Sequence, residues 1–278
     1  MKLNLITNTL AIGLSAGAAL ADLQEGLSAL EAGDFPAAAE LLAVAADEGE
    51  ADASFYLGRM LELGMGGPTD MPTAVELYRL GAEGDSAVAM NRLGLLHLEG
   101  EFVLQDYERA AELLCGSAEQ GDPNGQMNCG LLKLQGRGVE ADAEAGIAML
   151  KLAADQDHIG AMNVLAQALI AGDLAEKDEA EGLRLIQKTA SYGNPVGLFS
   201  LGQAYVVGLG LEADLVEAHK YFNLAAANGH PDALQARQAV EQELEPAQVV
   251  EAQRAARTWQ PVIPDPVVST EETGAASE

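Results

Sequence analysis

The chain has 278 residues, of which 43 are acidic and 15 basic, giving a formal net charge of −28. A nucleic-acid binder needs a basic stripe to neutralise phosphates, and docking on an anionic lipid surface needs the same, so both classes are excluded. Aromatic residues are 4%, β-branched runs are nearly absent, and Ala, Leu, Gly and Glu dominate, a mix that predicts closely packed helices and an all-α fold.

Residues 1–21, MKLNLITNTLAIGLSAGAALA, combine a short positive start at Lys2, an apolar run from about Leu10 to Leu20 and an A-x-A site at Ala19–Ala21. This is the pattern of a Sec-type signal peptide. The expectation is cleavage after Ala21, a mature chain from Asp22, and a periplasmic or secreted location. No Cys follows the cleavage site, so no lipoprotein anchor is expected, and no membrane insertion after signal cleavage.

From residue 22 to 230 the sequence repeats. Gly64, Gly100, Gly136, Gly172 and Gly208 are spaced by 36 residues, as are Asp34, Asp70, Asp106, Asp142, Asp178 and Asp214. Six positions before each of these glycines stands a small residue: Gly58, Gly94, Gly130, Ala166 and Gly202. Each recurrence has a physical purpose. The small residue lets a neighbouring helix approach. The later glycine ends the first helix in the left-handed conformation that only Gly adopts cheaply. The aspartate caps the second helix. That helix carries a core residue at Leu42, Leu77, Leu114, Leu150, Ile186 or Phe222, followed by a small one at Ala46, Gly81, Ala118, Ala154, Ala190 or Ala226. About six helix pairs are predicted, each burying its apolar face only against its neighbours.

Residues 231–260 break the register and read as two C-terminal capping helices around Glu245-Pro246, with Trp259 packed on the final pair. Residues 261–278 turn Pro-rich, small and acidic, the composition of a disordered tail.

The histidines His97, His158, His219 and His230 lack metal-ligand spacing, and no nucleophile elbow or phosphate loop is present. No metal, no cofactor and no catalytic residue is predicted. Cys115 and Cys129 straddle the turn near Asp122. In an oxidising compartment they are placed to bond across an antiparallel helix pair, which would contribute roughly 3 kcal/mol. The competing arrangement puts Cys129 in a core Leu position and Cys115, aligned with Lys151, Gln187 and Asn223, toward solvent.

The stretch LGQAYVVGLGLEADLVEAHKYFNLAAANGH, residues 201–230, closely resembles the Sel1-like repeat, a relative of the tetratricopeptide repeat. The resemblance extends over roughly residues 22–230. Residues 159–194 depart from it by lacking the second loop glycine and by carrying Ala166, and the first unit has EAGDF in place of the long loop. The resemblance implies a right-handed α-solenoid with a concave inner face, and a scaffold or adaptor role in the bacterial envelope. One exported branch similar in layout includes periplasmic regulators of exopolysaccharide synthesis, which bind the outer domain of a sensor kinase. By analogy the concave wall comes from the first helices, which places Phe55, Arg59, Asn91, Asn163, Gln167, Phe199 and Gln203 on it. The partner implied is another protein, and the chain is expected to be monomeric. The alternative is a cell-wall or β-lactam hydrolase on the same scaffold, although the paired cysteines of the relatives that prompt it are missing.

Overall fold

The computed structural model describes residues 16–263. The leader expected over 1–21 lies outside the described residues up to residue 15, and the tail expected over 261–278 lies outside them from residue 264. Among the described residues there are fourteen α-helices and no strand. They are α1 (Ala16–Glu31), α2 (Phe35–Asp47), α3 (Ala51–Leu63), α4 (Met71–Glu83), α5 (Ala87–Glu99), α6 (Tyr107–Glu119) and α7 (Pro123–Gln135). They continue with α8 (Ala143–Asp155), α9 (Ile159–Ala171), α10 (Glu179–Ser191), α11 (Pro195–Val207), α12 (Leu215–Ala227), α13 (Ala233–Glu241) and α14 (Pro246–Thr258).

From α2 to α12 every helix spans 13 residues, a length that follows from punctuation in the sequence. Every second helix from α2 to α12 starts at an aspartate whose carboxylate accepts from a backbone N–H in the first turn, at 3.3 Å for Asp34 to Ala37 and 2.9 Å for Asp142 to Ala145. These bonds satisfy donors that a helix start leaves open. First helices begin at polar residues too: Ser86, His158 and Asn194 accept from Ala89, Ala161 and Gly197. They end at Gly64, Gly100, Gly172 and Gly208, all left-handed with φ between 68° and 73°.

The chain forms two compact units, one holding α1 to α6 together with residues 137–139, the other running from Gln126 to the C-terminal helices. In the first unit α1 packs on α2, α3 on α4 and α5 on α6, with α2–α3 and α4–α5 contacts joining the pairs. Its core is built from Leu23, Leu42 and Met60, and from Val75, Tyr78, Leu93 and Leu96. Small residues set the spacing. A Cβ added at Gly58 would stand 2.6 Å from the Tyr78 ring, so a larger residue there would push α4 off α3.

The buried second-helix position in the 36-residue register is Tyr78, not Leu77. Tyr78 is fully buried, whereas Leu77 is half-buried. Leu42 and Leu114 are both 36 residues from 78, and one residue is about 100° of rotation round a helix. By the same shift the small residue that aligns with Ala118 is Ala82 rather than Gly81.

In the second unit a continuous core runs through Leu150, Met162, Leu165, Ile186, Leu198, Leu201 and Ala225. Both α13 and α14 pack on α12. Trp259 is half-buried against this core, with its ring near Gly193. Beyond it the Val262 N–H donates to the Ser191 carbonyl at 2.8 Å, which ties the end of the described chain to the α10–α11 turn.

Candidate functional site

In the first unit, Phe55 and Arg59 share α3. Phe55 is half-buried against Tyr56 and Tyr78, with ring centroids 5.1 and 5.9 Å away. Arg59 donates to Glu62 at 2.7 Å. The same Glu62 carboxylate accepts from the Tyr78 hydroxyl and from the guanidinium of Arg92 on α5, whose Nε lies at 3.2 Å. Burial pushes the Glu62 carboxyl up, but hydrogen bonds from Arg92, Tyr78 and Arg59 and the Arg92 charge outweigh it, so it stays below the usual carboxylate range. Burial and the bond to Glu62 push the Tyr78 phenol well up. Glu62, Tyr78 and Arg92 therefore each hold one protonation state near neutrality. The cluster is a clamp of one carboxylate, two guanidinium groups and a phenol between α3, α4 and α5, with no group poised to transfer a proton.

The sequence did carry a sign of this cluster. The residues in the register of Glu62 are Leu98, Leu134, Ile170 and Val206, all apolar. An acid in such a position needs cationic partners when the helices pack.

On α5, Asn91 is half-buried. In the second unit, Asn163 donates its amide to Asn194 Oδ1 at 3.1 Å, and that oxygen also accepts from Gly197 N at 3.0 Å. The asparagine of one repeat thus braces the helix start of the next. Phe199 stacks on His230 with centroids 4.0 Å apart and leans on Phe222 at 5.4 Å. Gln167 on α9 and Gln203 on α11 are exposed. Of the seven first-helix residues singled out, these two glutamines are the ones left open to a partner. Phe55, Phe199, Asn163 and Arg59 have contacts within the protein.

The clefts lie elsewhere. One of about 450 Å³ runs between α8 and α10 over α9, lined by Lys151, Asp155, Leu165, Leu169, Arg184 and Lys188 among others. One of about 300 Å³ runs between α4 and α6 over α5, lined by Arg79, Glu83, Leu93, His97, Glu112 and Gly116 among others. These sets are register equivalents, 72 residues apart. Two of the cations in the first cleft already have partners: Arg184 binds Glu181 through two 2.6 Å bonds, and Lys188 pairs with Asp157.

Neither cysteine is a free thiol; Cys115 on α6 and Cys129 on α7 are both disulfide-bonded. Among the described residues no group of three or more His, Cys, Asp and Glu is placed to hold a metal ion. Among the same residues no helix is long and apolar enough to cross a membrane.

Within each unit, helix pairs capped by Asp, stopped by Gly and packed on their neighbours define an α-helical repeat scaffold. The chain belongs to the Sel1 repeat family, whose profile matches residues 51–86, 87–122, 123–158, 159–194 and 195–230. Sel1 repeats are in general non-catalytic scaffolds that bind other proteins. Among solved structures, the chain is similar to a protective antigen of uropathogenic Escherichia coli strains that displays the SLR fold. That match has 28% identity and a TM-score of 0.78, and covers 87% of this chain and 53% of that one. The chain therefore spans about half the length of that protein. It is also similar in fold to a Sel1 repeat protein from Oxalobacter formigenes, with 18% identity, a TM-score of 0.74, and coverage of 88% and 99%. No curated protein matches the chain.

Proposed function

We propose that this chain is an exported adaptor that binds another envelope protein through the first-helix surface of its repeats and has no catalytic activity of its own. Regulation of an envelope sensor kinase or of exopolysaccharide and envelope assembly is the role this reading favours. The observation that carries the binding surface is the pair Gln167 and Gln203, 36 residues apart on α9 and α11 and both exposed. A ladder of amides at helix-pair spacing suits the backbone of an extended peptide, which offers a donor and an acceptor at each residue. Export rests on the leader-like residues 1–21 and on cysteines that are both oxidised, a state that persists outside the reducing cytoplasm. The similar E. coli protein is a protective antigen, which is in line with a location outside the cytoplasm.

The test has two arms. Terminal sequencing of the protein from a periplasmic extract is expected to begin at Asp22; recovery only from the cytoplasm with Met1 intact would remove the export reading. Affinity capture from the envelope fraction is expected to return one stoichiometric partner that a Gln167→Arg/Gln203→Arg variant loses. A partner held equally by the folded variant would move the binding surface elsewhere.

A further inference from the structure

The α5–α6 loop, residues 100–106, keeps the register residues Gly100 and Asp106 but departs from the other long loops at two positions between them. Phe102 has φ +63°, a left-handed conformation that is a genuine outlier for a bulky side chain. Of its register equivalents, Gly66, Gly138 and Gly210 hold the same conformation as glycines, whereas Leu174 does not adopt it. Those glycines let their loops lie down on the preceding repeat: an added Cβ would stand 2.8 Å from Phe35 at Gly66 and 1.9 Å from the Tyr107 carbonyl at Gly138. Phe102 cannot lie down in that way, and its side chain stands 64% exposed.

Two residues on, Leu104 is 87% exposed. Its equivalents are Pro68, Glu140, Glu176 and Glu212. This loop thus carries a left-handed Phe where three others have a left-handed glycine, and Leu where three others have Glu.

The loop is nevertheless pinned. Gly100 N donates to Leu96 O at 2.9 Å and Asp106 N to His97 O at 3.0 Å. The Gln105 amide donates to Leu98 O at 3.0 Å, and His97 Nδ1 lies 3.1 Å from Leu104 O. Val103, between the two exposed residues, packs into the core. Phe102 and Leu104 are therefore held outward on a fixed backbone, and backbone strain retained at a fixed, exposed aromatic is the mark of a position kept for contact.

We infer that Phe102 and Leu104 form a preorganised apolar anchor for a protein partner whose surface offers an apolar pocket bordered by Lys or Arg. The partner's charge follows from the surroundings: Glu99, Glu101, Asp106 and Glu108 are exposed around the anchor. A second copy of this chain, itself at −28, is repelled. The inference rests on the protein-binding reading but not on the Gln167–Gln203 surface.

The test selects random disulfide-cyclised peptides on phage against the purified full chain, then measures affinities of the enriched peptides. The expected peptides combine aromatic or aliphatic residues with Lys or Arg. They lose at least tenfold in affinity on Phe102→Gly and on Leu104→Ser, weaken as salt rises, and are indifferent to Gln167→Arg/Gln203→Arg. Phe102→Gly is also expected to raise Tm by about 2–4 °C by relieving the backbone, so binding falls while stability rises. Peptides that bind Phe102→Gly as tightly as wild type overturn the inference. So does a fall in Tm on that substitution, which would make the ring a packing residue, and so does a failure to enrich any peptide. Loss confined to the Gln167→Arg/Gln203→Arg variant overturns this anchor and leaves the first-helix surface standing.

Discussion

His219 stands where other repeats place Val75, Ala111, Ile147 and Leu183. It is 1% exposed on α12, neither ring nitrogen has a hydrogen-bond partner, and Glu241 Oε2 on α13 is 3.5 Å from Nε2. Burial lowers its pKa; the nearby Glu241 opposes this in part, and Arg237 adds to it. Above pH ~6.5, the ordinary value, folded and unfolded states both hold a neutral ring and the group has no effect on stability. As pH falls below that, the unfolded chain binds a proton that the folded chain resists, so stability is lost. His219→Leu is therefore expected to raise Tm more at pH 5 than at pH 7.5, read by thermal melts of both proteins at both values. An equal shift at the two pH values would sink the titration argument. A second contrast belongs to Glu62. Glu62→Gln leaves Arg92 half-buried without its counter-charge and is expected to cost about 2–4 kcal/mol, read by urea unfolding. Glu76→Gln, in an exposed pair with Arg79, is expected to change stability by no more than about 0.5 kcal/mol. Similar costs for the two would mean that the Glu62 cluster is no better shielded than the surface.

At the scale of the element, the loops separate two demands on glycine. Gly33 and Gly138 both have positive φ, 76° and 73°. An added Cβ meets nothing within 4 Å at Gly33 but lies 1.9 Å from the Tyr107 carbonyl at Gly138. Gly33→Ala is expected to cost about 1 kcal/mol, the conformational part alone. Gly138→Ala should cost clearly more, because the loop must lift from α6. Denaturant midpoints of the two variants decide this, and equal values would show that the loop yields freely. Helix ends and spacing were legible in the sequence because Asp, Gly and small residues recur at a strict interval, and each has one local mechanism. What lay hidden was what the residues that break the register pair with. Glu62 and His219 occupy apolar positions, and only packing shows that one found cations and the other only a carboxylate 3.5 Å away. The same holds for the first-helix surface. Asn163 and Phe199 have the right spacing for a groove, but spacing alone cannot tell an open side chain from one that braces the next repeat through Asn194 or His230.

At the scale of the whole molecule, charge is the dominant unbalanced term. Even if every Lys and Arg neutralised one carboxylate, 28 acidic charges would remain without a basic partner. The local pairs are mostly i,i+3 contacts at the surface, such as Arg109–Glu112 and Arg184–Glu181, each worth under about 1 kcal/mol and weakened by salt. Mutual repulsion among the excess carboxylates acts over longer distances and is screened over the same range, since the Debye length falls to about 10 Å at 0.1 M. The two effects of salt therefore oppose each other, and the excess of acid decides the sign. Tm is expected to rise between 20 and 300 mM NaCl at pH 7.5, a range chosen (about 20 Å falling to 6 Å of screening) to stay below concentrations where salts act on apolar surface. A fall in Tm across that range would mean that the surface pairs outweigh the repulsion and that the acidic residues are arranged as a stabilising network. A rise would show that the chain carries its charge at a cost to stability. That cost is sensible only if the charge is used, in solubility or in drawing a basic partner to the anchor around Phe102.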